Sequence, residues 1–287
     1  MRNWSNNIDI YGMPTMTVQD NGVGEGGDSA QRFGMTLIGM FLNRKYKKRI
    51  QLDLLAYISS PSDGLYSLEC PECPGDYRRH PHEDFWGSAC DRMTRDQATG
   101  IVAAFCAGRM LETSGNPTYK FPNRRWRTFR FAFNMFKRFG MTNNSTKRNT
   151  PKTGDHVGKS WFDWFGLPQW SNLIRCYPIL SYMLYPILCF LDLEIVINSI
   201  ILKRRVSKID KIQDGPDVSS ITTRMACTKA LPTPISHLAW KIAPINYMAD
   251  RIKYTANFDP QNSGIIGPPM HTLYSLEILK KCQENYY

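Results

Sequence analysis

The sequence predicts a mainly α protein, of recurring capped helices that would suit stacked helix pairs, joined by long irregular loops. Three observations predict this. Apolar residues recur at helical spacing in several segments, start signals precede those segments, and convincing strands are few. At 287 residues, 42% hydrophobic and 21% charged, the chain is long enough for a core to stabilise it without staples.

Residues 1–27 read as a polar, turn-rich N-terminal arm ending in "DNGVGEGGD". Gly22, Gly24 and Gly27 make a lone GxGxxG. A dinucleotide loop needs a hydrophobic strand just before it, and "YGMPTMTVQDN" is a poor one. A helical region follows over 28–141. Asp28 with Gln31 has capping-box spacing before Phe33, Leu37, Met40 and Phe41. Thr94 with Gln97 repeats that signal before an apolar stripe of Ala98, Ile101, Val102, Phe105 and Cys106. "RRWRTFRFAFNMFKRF" (124–139) interleaves bases with aromatics and stops at Gly140, a good C-terminal cap.

Residues 142–159 form a basic loop or linker. The helical region 160–287 then forms one compact unit with 28–141. Its run Cys176 to Leu191 holds sixteen residues without a charge, short of the roughly 20 that span a membrane and interrupted by Pro178 and Pro186. A buried helical segment, without stable membrane insertion, is the expectation. Thr233-Pro234 caps "ISHLAWKIA", and Pro268-Pro269 opens the last helix.

The net charge of +11 points to an anionic partner. It is concentrated: Arg124 to Lys159 holds ten Lys/Arg and one acid, Asp155. Within it, Arg124, Arg125, Arg127, Arg130, Lys137 and Arg138 are candidates for partner or anion binding. Two partners fit: acidic neighbouring subunits, or nucleic acid with Trp126 and Phe129 stacking on bases.

Two constellations carry candidate chemistry. Cys70, Cys73, His80, His82 and Cys90 are metal-ligand types, and Cys70-x-x-Cys73 is a proper zinc knuckle. The second close pair is missing, and a proline between the histidines points their side chains apart. No cofactor is therefore expected, and a proline-rich loop packed on the body is preferred over zinc. Separately, Asp28 and Asp96, with Arg32 and Arg95 nearby, stand at helix starts, where a carboxylate favours the helix dipole. Facing a shared cavity, the two carboxylates would suit acid and base roles on a glycan, with Trp161, Trp164 or Trp170 as a sugar platform. Core packing is the plainer role for those tryptophans. "MRNWSNNIDIYG" has no apolar leader core, so synthesis in a reducing cytoplasm with mostly free thiols is expected.

"GEGGDSAQRFGM", "RRHP", "DRMTRDQATGIVAA", "PTPISHLAWKI" and "GPPMHTLYSLEIL" occur in that order from about residue 24 to 280. Together they resemble a family of proteins encoded in tailed-bacteriophage genomes. The shared marks fall on Gly26, Gly27, Asp28, Gln31 and Arg32; on Arg79, His80 and Pro81; on Arg95, Asp96 and Gln97; and on Pro232, Thr233, Pro234 and Ser236. The resemblance implies a viral context and a helical fold akin to α/α barrels rather than an activity. The expectation is a virion-associated structural protein of the tail, neck or fibre apparatus. It would be made in the host cytoplasm and partnered by other virion proteins, with the glycan hydrolase and the nucleic-acid binder as alternatives.

Overall fold

A computed structural model describes residues 17–19, 22–24, 30, 33–34, 37–38, 68–69, 77, 95–113, 123–139, 167–206 and 218–246. The chain is mainly helical. A short hairpin precedes the helices: β1 (Thr17–Gln19) pairs antiparallel with β2 (Gly22–Gly24), Val18 opposite Val23. Gly22 and Gly24 are thus hairpin residues.

Helix α1 (Arg95–Thr113) begins just after Thr94, as the capping signal predicts. The sequence predicts an apolar stripe on it, but every residue from Ala98 to Met110 is buried. The physical reason lies in its small residues. Gly100, Ala103, Ala104 and Ala107 let neighbours approach on sides the stripe does not cover. The helical residues Ala30, Phe33, Leu37 and Ile38 lie in the same core, and Gly34 crosses α1 at Gly100.

Helix α2 (Arg124–Phe139) ends before Gly140, as predicted. Its Phe131 meets Phe105 of α1 at 5.8 Å and Tyr77 at 5.5 Å between ring centroids, in tilted and edge-on geometry. Tyr77, itself buried, also pairs with Glu69 in an antiparallel bridge.

Helix α3 (Leu167–Arg175) leads into α4 (Pro178–Met183) and α5 (Tyr185–Val206). Pro178 starts α4, where its missing N–H costs nothing. Hydrogen bonds from Leu184 N to Leu180 O (2.8 Å) and from Leu188 N to Leu184 O (2.9 Å) carry helical pairing across the α4–α5 junction. Helix α6 (Val218–Cys227) continues through a 3₁₀ turn (Thr228–Ala230) to α7 (Pro234–Ile242). Thr233 caps α7 as predicted, with Ser236 completing the reciprocal box at 2.9 and 3.0 Å.

Helices α3 and α6 flank α1, while α5 packs on α7 and α3. That arrangement corrects the expectation for the run Cys176 to Leu191. It is helical, but only partly buried. Ser181, Leu188 and Leu191 face inward, whereas Ile179, Tyr182, Met183, Ile187 and Phe190 are exposed, because neighbours cover one side only. No helix among the described residues is long and apolar enough to cross a membrane. Met40, Phe41, the 142–159 linker and the helix expected after Pro268-Pro269 lie outside the described residues.

Candidate functional site

Two features stand out: an ionic network sealed in the core and an aromatic face turned outward on α2.

The network begins at Arg175, the last residue of α3 and fully buried. Its guanidinium donates to Asp192 Oδ2 at 2.5 Å, to Asn172 Oδ1 at 3.2 Å and to the Leu231 carbonyl at 3.0 Å. Thr233 Oγ1 donates to the same carboxylate oxygen, so the cap of α7 is tied to α5. Two residues along α5, Glu194 receives Arg224 Nη2 of α6 at 2.6 Å on both oxygens, and Asn198 donates to it as well. Asn172 Nδ2 reaches the Arg224 carbonyl at 3.4 Å and joins the two pairs. Among the described residues, Asp192 Oδ1 accepts no hydrogen bond.

Two further buried arginines have carbonyl oxygens as acceptors. Arg109 of α1 donates to the Arg175 carbonyl and to Ser181 Oγ, and Arg124 of α2 donates to the Cys176 carbonyl. These carbonyls belong to the end of α3, where helix oxygens lack internal partners and the dipole favours a cation. Burial pushes the Arg109 guanidinium below the usual arginine value. Beside it, the Sγ atoms of Cys106 and Cys176 lie 3.5 Å apart, and both thiols approach the Asn172 carbonyl. Burial pushes both thiols well above the usual cysteine value, so they stay protonated and unreactive. The network holds four helices in register. Its carboxylates are neutralised and cut off from solvent, so it organises the core.

The outward face of α2 is different. Trp126, Phe129 and Phe133 are 58%, 53% and 50% exposed, at the i, i+3, i+7 spacing of one stripe. The Trp126 and Phe129 rings stack with centroids 5.6 Å apart and planes 22° from parallel. Arg125 is exposed beside them. The inward face fixes the helix: Phe131 is in the core, Arg127 pairs with Glu69 at 3.1 Å, and Tyr177 Oη donates to the Arg125 carbonyl at 2.8 Å. Three aromatics are therefore held at the surface by a rigid support.

This placement narrows the set of bases singled out from the sequence. Arg124 and Arg127 are buried and committed inward, which removes them from any partner surface. The reason is helical period: they share a side with Phe131, and composition alone does not show it. Arg130, partly exposed, lies 3.6 Å from Glu69. Lys137 and Arg138 lie in the last turn of α2, their side chains outside the described set. Arg95 and Asp96 form the start of α1, again without described side chains, and Asp28 and Arg32 lie outside the described residues. So do Cys70, Cys73, His80, His82, Cys90, Trp161 and Trp164. Trp170 is half-buried against the core. Among the described residues no three His, Cys, Asp or Glu stand where they would share a metal ion.

Sequence reasoning passed over Asp192 and Glu194, which follow the apolar run and read as its end. Asp192 lies four residues after Leu188 and three before Ile195, on the same helix side, but that these two are buried is seen only in the structure. Compared with family models, curated proteins and solved structures, the chain matches none.

Proposed function

We propose that the chain is a structural protein that docks onto other proteins through the outward face of α2, as a virion-associated component of a tailed bacteriophage. The observation that carries the docking is the exposed trio Trp126, Phe129 and Phe133 on a rigidly anchored helix. Exposed aromatics of this kind are enriched in the centres of protein interfaces. The exposed Arg125 and the overall charge of +11 favour an acidic neighbouring subunit. The phage context, and with it a place in the tail, neck or fibre, rests on the ordered motifs from Gly26 to Ser236. The inward turn of Arg124 and Arg127 favours protein over nucleic acid, because it takes two of six bases away from phosphates.

The test is quantitative mass spectrometry of density-purified particles carrying either the native chain or Trp126→Ala/Phe129→Ala. The native chain is expected at a fixed copy number, and the variant at least tenfold lower in particles while accumulating normally in lysates. Absence of the native chain from particles, or undiminished incorporation of the variant, overturns the reading. Loss of steeply salt-dependent nucleic-acid binding in the variant would assign the face to phosphates and stacked bases instead.

A further inference from the structure

A second exposed surface runs along α4 and α5. Ile179, Tyr182, Met183, Ile187, Phe190 and Leu193 are between 37% and 75% exposed. At 100° per residue they fall on one face, and the hydrogen bonds across Leu184 keep α4 and α5 in helical succession. The result is a ridge of about 20 Å, at 1.5 Å per residue. At roughly 200 Å² per large side chain, these six expose on the order of 700 Å². Single apolar residues on a surface are ordinary, but a continuous patch of this size marks an interface.

We infer that this ridge is where a second copy of the chain packs, ridge against ridge about a two-fold axis. Three observations point to self-association. The area matches the roughly 800 Å² that each partner gives to a standard stable interface. The ridge also carries no charge. Residues 178–191 have none, while Asp192 and Glu194 turn inward to Arg175 and Arg224. An acidic partner would set carboxylates against this apolar face without a counter-ion, at a desolvation cost. Finally, an anionic membrane surface calls for bases bordering the apolar face. The exposed bases of α5, Lys203 and Arg204, lie about 15 Å beyond Leu193 along the axis. What complements the ridge is another neutral apolar helix face with i, i+3, i+4 spacing, and a second copy supplies one. The inference uses α4 and α5 alone and stands apart from docking through α2.

Sedimentation equilibrium of the full chain tests it, beside Met183→Glu, Phe190→Glu and the milder Ile187→Ser. The native chain is expected to be a dimer at micromolar concentration. Each glutamate variant should be a monomer with unchanged helical circular dichroism, and Ile187→Ser should dissociate at least tenfold more readily. Trp126→Ala/Phe129→Ala should still dimerise, so failure of the α2 reading and failure of this one are distinguishable. A native chain that stays monomeric, or glutamate variants that stay dimeric, overturns the inference. So does a monomeric native chain that floats with phosphatidylcholine or phosphatidylserine vesicles while Met183→Glu does not, which would assign the ridge to lipid.

Discussion

Asp192 has one carboxylate oxygen shared by Arg175 and Thr233 and another with no donor among the described residues, all inside the core. A buried ion pair of this kind adds little over apolar packing, yet removing one partner leaves the other charge stranded. Asp192→Asn is therefore expected to lower unfolding stability by about 3–5 kcal/mol. Arg175→Met/Asp192→Leu should lose clearly less than the sum of its single changes. Urea denaturation of the four proteins checks this, and additive losses would contradict the pairing. At this scale little of the network was legible beforehand. Charged residues are read as surface by default, and only the burial of Leu188 and Ile195 on either side reveals that Asp192 points inward.

Between elements, Gly34 and Gly100 cross in close approach. A Cβ on Gly34 would run into the Gly100 carbonyl, and the atom that must yield is backbone. Gly34→Ala is therefore expected to cost about 2–3 kcal/mol and to lower Tm by roughly 5–10 °C, read by thermal melting. An unchanged Tm would mean the two backbones are not in contact. The helix boundaries were legible where capping chemistry is local. Thr94 precedes α1, Gly140 follows α2, and Thr233-Pro234 opens α7. Which faces are covered was less legible. The run Cys176 to Leu191 announces its apolarity in sequence, but how much of it is buried depends on where α3 and α7 lie. The same limit hid the inward turn of Arg124 and Arg127 among the bases of α2.

Across the whole molecule, interior and surface divide the work. The positive charge that seemed gathered for a partner is partly spent holding the fold together, since Arg124 and Arg127 of that segment are buried, as are Arg109, Arg175 and Arg224 elsewhere. Among the described residues, the exposed apolar surface is aromatic on α2 and mixed aliphatic and aromatic on α4 and α5. The end of α3 shows what this means for motion. Guanidinium groups from α1 and α2 grip the carbonyls of Arg175 and Cys176, so the corner cannot fray without dislodging two other helices. In deuterated solvent, the amides of Cys176 and Tyr177, bonded to Leu173 and Ile174 at 3.0 Å, should exchange as slowly as those inside α1. Arg124→Met should speed them at least tenfold while the middle of α1 keeps its protection. A helix end, ordinarily the first place a protein loosens, would then record the opening of the entire fold.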